Sequence, residues 1–433
     1  MSTYFLESTQ IKAIVKTLEA HYTTDEAIKV LMSLLLVVKF YPSSLDLIID
    51  DKTGLNLDEL SKSIHTLTIK ELHTLNISKA YKPGLEQALI QLKTEIGAKP
   101  IELDGVKQTQ SLREYLISQD SKYKLELSND KLNTLMGAIL LKYLNLKDDE
   151  NIYDGCAKTG EIFSWVKQVR STKLYLEEKN TLSFTLAQAF AQMEGHQENN
   201  YGATKFFQNS ALDNTSLLAQ ECDFYVSNPY HPYPLSAQQQ TIEHPYLLNI
   251  FMGRSNINRN SADALWIQLA LHSTKKFGKI VIVVQEKFLS RPGYDKTLRE
   301  YLTKNNLLDT IVFLPANLSP STQSLQCILV LDKTRKQLTH VNRIKMIDIR
   351  SFGSNSNGYW LNNELSDFDT ALMEDTSECS HIIGQDQIIG ADFNWHIEQY
   401  LDKTEDLPSV NEAEKMFFES VVNLKKILKT CSL

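Results

Sequence analysis

The chain has 433 residues, of which 42% are hydrophobic and 23% are charged, the proportions of an ordinary soluble globular protein. This length predicts two or three domains with a full hydrophobic core. With 45 basic and 53 acidic residues, the net charge is −8. The surface as a whole is therefore not built to hold a polyanion, and any contact with nucleic acid requires a local basic patch or a partner.

Disulfide frameworks, zinc sites and membrane spans are not indicated. The five cysteines form no Cys-x-x-Cys pair, which argues against a disulfide framework or a zinc site, and Cys156, Cys222 and Cys327 lie in apolar runs as small core residues. The N-terminus shows no signal peptide. The most apolar run, residues 30–40, is too short to span a bilayer. We therefore expect a cytoplasmic protein with no membrane segment and no metal site.

The first 105 residues have helical patterns. Thr23 is followed three positions later by Glu26, the arrangement of a capping box at the start of a helix. Further helical patterns occur at 57–67, 69–75 and 85–96, and two more, at 109–118 and 130–146, follow this region. The sequence predicts a helical N-terminal domain over residues 1–105, and its composition is equally typical of any helical bundle.

From residue 151 to about 332, short apolar runs alternate with helical patterns, which indicates a parallel α/β sheet. The predicted strands include a second one ending at Glu178, a third ending at Gln208-Asn209, and later ones at 279–285, 310–314 and 326–331. The predicted helices include 263–275 and 294–305.

Three of these strands end in residues that suit a binding site. The first runs into the turn Asp154-Gly155-Cys156-Ala157-Lys158-Thr159-Gly160, and Glu178 follows Asp154 by 24 residues. A tight strand-to-helix turn lets backbone approach a cofactor, and an acid at this spacing accepts ribose hydroxyls in dinucleotide-binding folds. The fourth strand ends in Asn228-Pro229-Tyr230-His231.

This order of strands, helices and polar ends resembles the class I S-adenosylmethionine-dependent methyltransferases, and within them the adenine-N6 DNA methylases. The likeness is greatest to the modification subunit of type I restriction-modification systems. Four further segments are similar to their type I counterparts: 261–271, 296–302, 309–318 and 327–333. The resemblance implies a Rossmann-like methyltransferase core over residues 106–335, with a C-terminal extension over residues 336–433.

The resemblance also implies a cofactor, S-adenosylmethionine, and the residues that bind it. Those residues are Asp154, Cys156, Gly160, Glu178 and Asn209. Glu177 is the alternative to Glu178 as the acid that holds the ribose.

The resemblance further implies a catalytic motif that holds a flipped-out adenine: Asn228, Pro229 and Tyr230. The Asn side-chain oxygen and the Pro carbonyl would accept the two N–H groups of the target amine, and the aromatic ring would stack on the base. The loop 228–260 carries little negative charge, so His231, Arg254 and Arg259 are predicted to contact DNA. A solvent-exposed loop with incidental charge is an equally good interpretation.

Three positions depart from the family pattern. The Thr-Pro pair expected before the helix at 130 is absent, and the segment contains Ser128-Asn129 instead. Lys158 stands for the first glycine of the turn, and Tyr230 stands for the second proline of the catalytic motif. Two functions therefore remain open: an active DNA adenine-N6 methyltransferase subunit, or a pseudoenzyme that serves as a DNA-binding or assembly subunit.

The last part of the sequence predicts a contact with another protein. Residues 410–428 have helical periodicity, with apolar side chains at heptad-like spacing. By resemblance, this helix would pack on a specificity-type subunit. Docking within the same chain is an equally good interpretation of the pattern.

Overall fold

The computed structural model describes most of the chain between residues 3 and 401. The described ranges are 3–41, 45–50, 54–67, 69–75, 81–96, 102–123, 125, 127–128, 130–166, 172–195, 204–213, 221–231, 233, 235, 246–248, 261–316, 318, 324–337, 342–353 and 362–401. Contacts divide the chain into one unit of residues 1–395 and another of residues 396–433. In the second unit the structure describes a short 3-10 turn, Ile397–Gln399. Within the described ranges, no helix has the length and apolar character needed to cross a membrane.

Helices dominate the first hundred residues, as the sequence predicts. They are α1 (Ser8–Glu19), α2 (Thr24–Phe40), α3 (Leu45–Ile48), α4 (Leu57–His65), α5 (Lys70–His73) and α6 (Lys82–Ile96). Short strands accompany them: β1 (Thr3–Tyr4), β2 (Ile49–Asp50), β3 (Gly54–Leu55) and β4 (Glu102–Leu103). The predicted capping box is confirmed, because the side chains of Thr23 and Glu26 each accept a hydrogen bond from the other's backbone N–H.

The remaining helices surround a large sheet or lead into it. They are α7 (Gly105–Ser118), α8 (Asp120–Tyr123), α9 (Asp130–Ala138), α10 (Ile162–Trp165), α11 (Thr181–Glu194), α12 (Asp263–Ser273), α13 (Tyr294–Lys304), α14 (Asn362–Met373) and α15 (Gln385–Gly390). Helix α9 continues as a π-helical turn, Ile139–Tyr143, and 3-10 turns occur at Glu286–Leu289 and Lys333–Gln337.

The sheet has nine described strands. They are β5 (Asn151–Asp154), β6 (Lys173–Glu177), β7 (Lys205–Phe207), β8 (Cys222–Ser227), β9 (Thr274–Gln285), β10 (Leu308–Phe313), β11 (Gln326–Asp332), β12 (Arg343–Asp348) and β13 (Ser380–Gly384). Their spatial order is β13-β12-β10-β11-β9-β8-β5-β6-β7.

The sheet is mainly parallel, as the sequence predicts, but two of its strands run antiparallel to their neighbours. Strand β11 is antiparallel to both β9 and β10, and β13 is antiparallel to β12. Strand β11 returns along β10, and an antiparallel return needs no crossover helix of the kind that joins parallel strands. The other neighbouring pairs, from β7 through β9 and between β10 and β12, are parallel.

Element boundaries also differ from prediction by a few residues. Strand β6 ends at Glu177 and β7 ends at Phe207, so Glu178 and Asn209 belong to the loops that follow. Helix α12 ends at Ser273, because Thr274 is extended and begins β9. These shifts leave polar side chains just beyond the strand ends, where parallel sheets place their binding sites.

The connections on either side of β5 determine the position of the site. The chain runs from β5 to β6 on one side, and it later returns to β8 on the other side of β5. A crevice forms outside the carboxyl ends of strands where an open α/β sheet reverses its order in this way. The end of β5 and the end of β8 therefore face the same crevice.

Two groups of buried apolar residues stabilise this arrangement. One joins the N-terminal helices to one face of α11, and the other lies between the sheet and helices that include α9, α10 and α14. Helix α11 packs against α2 and α7, so it connects the N-terminal helices to the strand ends. The boundary near residue 105 stays a prediction. Cys156, Cys222 and Cys327 are buried, as expected for core cysteines.

Candidate functional site

A cavity of about 680 Å³ lies at the carboxyl ends of β5, β6 and β8. This volume is typical of a small-molecule or cofactor site. Four of the residues predicted from the sequence line it, Cys156, Glu178, Asn209 and Tyr230, and so does Glu177, the alternative acid. Residues that are distant in the sequence thus meet around one space.

Asp154 holds the turn that follows β5. Its Oδ1 accepts hydrogen bonds from the backbone N–H of Cys156 at 3.0 Å and from the hydroxyl of Ser227 at 2.7 Å. Burial of the carboxyl raises its pKa to about 7, against the opposing effect of these hydrogen bonds. Asp154 therefore ties the turn to the end of β8.

Lys158 and Gly160 both have positive φ angles, of 49° and 77°. Glycine adopts positive φ without steric cost, so the lysine that stands for the first glycine of the turn is strained at this position. A lysine in this conformation costs on the order of 1 kcal/mol relative to a glycine. The Lys158 side chain is buried, and its Nζ lies 5.2 Å from the centroid of the Tyr230 ring.

Glu178 links the turn to the loop after β6. Its Oε2 accepts a hydrogen bond from the backbone N–H of Lys158 at 2.9 Å, and its Oε1 accepts one from Asn180 at 2.7 Å. Burial raises the pKa of Glu178, while hydrogen bonds that include one from the Tyr230 hydroxyl lower it. Each carboxylate oxygen has a second lone pair, so Glu178 has acceptor capacity beyond these contacts on the wall of the cavity.

Glu177, the alternative acid, has a different environment. Its Oε2 accepts a hydrogen bond from the Tyr153 hydroxyl at 2.6 Å, and its side chain is fully buried. Burial raises the pKa of Glu177 to about 7. Glu177 also lines the cavity, and its Oε1 has no hydrogen-bond partner among the described residues, so both neighbouring acids can face a ligand.

Asn209 completes this side of the cavity. Its backbone N–H donates to the carbonyl of Glu178 at 3.1 Å, and its Oδ1 accepts from the N–H of Ser210 at 2.8 Å. The loops after β6 and β7 are thus joined directly. The side-chain amide N–H groups of Asn209 are donors at the cavity wall.

Asn228 lies at the end of β8 and is buried. Its Nδ2 donates to the Ser128 hydroxyl at 2.6 Å. Its Oδ1 has no hydrogen-bond partner among the residues that the structure describes. A buried acceptor without a partner costs about 1–3 kcal/mol, so this oxygen is poised to accept a hydrogen bond from a ligand.

Tyr230 and His231 point into the protein from the same loop. The half-buried Tyr230 ring lies over the Lys158 ammonium group, on the Glu178 side of the cavity. His231 is buried, with Nε2 at 3.3 Å from the Val283 carbonyl and Nδ1 at 3.6 Å from Asp263. Burial lowers the pKa of His231 to about 3, so its ring is neutral at pH 7 and presents no cation to DNA. Its predicted DNA contact is not supported by this burial, and Arg254 and Arg259 lie outside the described residues.

Sequence reasoning missed three residues that hold the site. Arg113, on α7, donates to the Thr159 hydroxyl at 2.9 Å and to the backbone carbonyls of Thr159 and Gly160 at 3.1 and 3.0 Å. Glu161 accepts hydrogen bonds from the backbone and the hydroxyl of Ser128. A signal for Arg113 is its place between apolar residues on an amphipathic helix, but Ser128 and Glu161 carry no local signal because their contact spans 33 residues.

Known proteins resemble this chain in sequence and in fold. The family model for N-6 DNA methylase matches residues 132–407, more than half of the chain. The methylase subunit of the type I restriction enzyme MjaVII from Methanocaldococcus jannaschii is 22% identical over 293 residues, covering 65% of this chain and 48% of that protein. This chain thus spans about half the length of that relative.

The solved structures that resemble it share its architecture at low identity. A type I restriction-modification methyltransferase subunit from Streptococcus thermophilus has a TM-score of 0.66 at 16% identity, covering 91% of this chain and 99% of that one. A protein from Listeria monocytogenes assigned to the class I S-adenosylmethionine-dependent methyltransferases has a TM-score of 0.52 at 14% identity, covering 79% and 99%. The fold is that of the class I S-adenosylmethionine-dependent methyltransferases, and the chain belongs to the N-6 DNA methylase family.

Proposed function

We propose that this chain is a modification subunit that transfers a methyl group from S-adenosylmethionine to the N6 amino group of a flipped adenine in DNA. The observation that supports this proposal best is the buried Oδ1 of Asn228, which lacks a partner among the described residues and lies at the end of the strand beside the cavity. An adenine amino group offers the N–H donors that this oxygen lacks.

The residues around the cavity fit the cofactor. Glu178 would accept hydrogen bonds from the ribose hydroxyls, and Asn209 would meet the adenine of the cofactor. The turn formed by Asp154, Cys156 and Gly160 would provide backbone close to the methionine part. The cofactor supplies an electrophilic methyl group on a sulfonium, so that the target nitrogen gains the methyl and releases one proton.

Asn228 and Pro229 would prepare the target nitrogen for this transfer. The lone pair of an adenine amino nitrogen is delocalised into the ring, so the nitrogen is a poor nucleophile. Two acceptors, the Asn228 Oδ1 and the Pro229 carbonyl, would hold its two N–H groups and favour a tetrahedral nitrogen. Extrusion of the base from the duplex costs a few kcal/mol, which contacts inside the pocket must offset.

Tyr230 supports the cofactor side of the pocket as well as the target base. Its hydroxyl interacts with Glu178, and its ring covers the Lys158 ammonium group. Stacking on the adenine would require the exposed part of the same ring. We also propose DNA contacts by Arg254 and Arg259, whereas the ring of His231 is buried and does not reach DNA.

The partners of the chain are DNA and a second subunit. The relative from Methanocaldococcus jannaschii is described as a methylase subunit of a type I restriction enzyme, which supports a role within a larger assembly. We propose that residues 410–428, which lie outside the described residues, contact a specificity-type subunit, and that the assembly works in the cytoplasm.

Nucleoside analysis tests the proposed reaction. Adenine-containing DNA is incubated with methyl-labelled S-adenosylmethionine and the chain, purified alone and together with the products of adjacent genes, and is then digested to nucleosides. We expect the label in N6-methyldeoxyadenosine and none in methylated cytosine. Retention of DNA binding without any transfer of label would support the alternative, a catalytically inactive DNA-binding or assembly subunit.

A further inference from the structure

We propose that Ser128 and Glu161 are positioning residues that determine which end of the Asn228 side-chain amide is left free to accept a hydrogen bond from the substrate. The inference rests on the proposed function, because the orientation matters only if Asn228 must accept a hydrogen bond from its substrate. It assigns a role to two residues that stand outside the catalytic motif.

The three side chains form a continuous buried chain of hydrogen bonds. Asn228 Nδ2 donates to Ser128 Oγ at 2.6 Å, and Ser128 Oγ donates to Glu161 Oε2 at 2.7 Å. The backbone N–H of Ser128 donates to the other oxygen of Glu161. Each of these residues is at most 3% exposed, so water does not compete for these bonds.

The number of protons on each group determines which group donates in each of these hydrogen bonds. An ionised carboxylate is only an acceptor, so both bonds from Ser128 to Glu161 must be donated by Ser128. The Ser128 hydroxyl has a single proton, which it donates to Glu161, so its oxygen can only accept a hydrogen bond from Asn228. The group of Asn228 that meets Ser128 must therefore be the NH₂ group.

The orientation of the amide then follows. With Nδ2 held by Ser128, the Oδ1 of Asn228 is the free end, and it has no partner among the described residues. A reversed amide would present an NH₂ group to the amino group of adenine, so that two donors would face each other. The carboxylate of Glu161 thus sets the polarity of the catalytic asparagine through Ser128.

The chain of bonds also connects three parts of the fold. Ser128 precedes α9, Glu161 lies between Gly160 and α10, and Asn228 follows β8. Ser128 lies in the segment where the family has a Thr-Pro pair.

Replacement of Glu161 by glutamine is the sharpest test, since the two side chains have almost the same shape. In Glu161→Gln, the oxygen accepts from the backbone of Ser128 and the new NH₂ group donates to the Ser128 hydroxyl. That hydroxyl is then free to donate to Asn228 Oδ1 and reverse the amide. We expect kcat to fall by about 10- to 100-fold, with the KM for DNA and the affinity for S-adenosylmethionine changed less than about threefold.

Variants of Ser128 separate positioning from packing. We expect Ser128→Ala to lose kcat to a similar extent, whereas Ser128→Thr, which keeps the hydroxyl, stays within about threefold of wild type. The matched control is Ser273→Ala, a buried serine whose hydroxyl donates to the Leu269 carbonyl at 2.8 Å on α12. A loss of kcat in Ser273→Ala equal to that in Ser128→Ala would contradict a positioning role, as would full activity in Glu161→Gln.

A second readout does not depend on activity. Selective ¹⁵N labelling of asparagine gives the side-chain NH₂ signals, and the signal of Asn228 is assigned by its loss in Asn228→Asp. We expect slow hydrogen exchange of this group in wild type and Ser128→Thr, and fast exchange in Ser128→Ala and Glu161→Gln. Slow exchange in a wild-type protein that transfers no methyl would refute the proposed reaction but not the orientation, whereas fast exchange in wild type would refute the orientation.

Discussion

The turn after β5 and the loop after β8 face the same cavity, but they differ in how many of their buried polar groups have hydrogen-bond partners. In the turn, the carboxylates of Asp154 and Glu178 each accept two hydrogen bonds from the protein, and Arg113 holds the carbonyls. In the loop, Asn228 has a buried side-chain oxygen, Oδ1, that accepts no hydrogen bond from the described residues.

This difference indicates how the two regions tolerate sequence change. The turn is over-determined by contacts from α7, β6 and β8, so it can hold a lysine at positive φ despite the strain. In the loop, the proposed chemistry depends on one side chain, Asn228, whose Oδ1 must stay available to accept a hydrogen bond from the substrate. We therefore expect changes at Asn228 to abolish chemistry and changes in the turn to alter stability and cofactor affinity.

The largest effect is expected at Asn228. Asn228→Ala removes the acceptor for the adenine amino group, and the loss of one such preorganised group costs about 100- to 1000-fold in kcat. Single-turnover methyl transfer measures this loss. The affinity for S-adenosylmethionine should not change, and a variant that keeps more than a tenth of wild-type activity would contradict a catalytic role for Asn228.

A substitution of Arg113, on α7, tests how the turn is held. Arg113→Met removes three hydrogen bonds to Thr159 and Gly160, and we expect the free energy of unfolding to fall by about 2–3 kcal/mol. Urea denaturation measures it. In the matched control, Arg343→Met, the arginine forms an exposed ion pair with Asp375 and its loss should cost under about 1 kcal/mol. Equal losses of unfolding free energy in the two variants would show that the turn does not depend on Arg113.

The two neighbouring acids should differ in cofactor binding. Glu178→Gln weakens charge-assisted hydrogen bonds at the cavity wall, and we expect its affinity for S-adenosylmethionine to fall by about tenfold. Glu177→Gln should stay within about threefold of wild type, since Glu177 is engaged by Tyr153. The reverse order, measured by calorimetry, would identify Glu177 as the ribose-binding acid.

A further effect of Glu177 depends on pH. The folded-state pKa of Glu177 is about 7, above its ordinary value of 4.5, so the folded protein binds this proton more tightly than the unfolded chain does. Its contribution to stability is complete below pH 4.5 and is lost as the pH rises through 7. Relative to wild type, Glu177→Gln should therefore gain about 3 kcal/mol between pH 4.5 and pH 8, since each pKa unit corresponds to about 1.4 kcal/mol. The exposed Glu114→Gln serves as the control, and an equal pH dependence in both variants would contradict burial as the cause.

The sequence predicts the architecture well because each strand and helix is encoded by a local pattern. The turn after β5, Glu178 and Asn228 were found because each follows an apolar strand. The reversal of β11 was missed, since strand direction depends on pairing across the sheet rather than on the residues of the strand.

The support of the site was harder to predict. The link from Glu161 through Ser128 to Asn228 joins residues as far as 100 positions apart, and no periodic pattern reports such a contact. The inward direction of His231 was also missed, because a histidine after a turn has the same local sequence whether its ring faces solvent or the core. Burial is a property of the assembled fold.

We expect the turn after β5 to form a cofactor site although Lys158 replaces a glycine. Calorimetric titration with S-adenosylmethionine, of wild type beside Lys158→Gly, tests it most directly. We predict saturable binding by both proteins, with the variant tighter by about tenfold because the Lys158 ammonium group no longer repels the positive sulfonium of the cofactor. Absence of binding by both would contradict the account, and binding by the variant alone would show that Lys158 has inactivated the site.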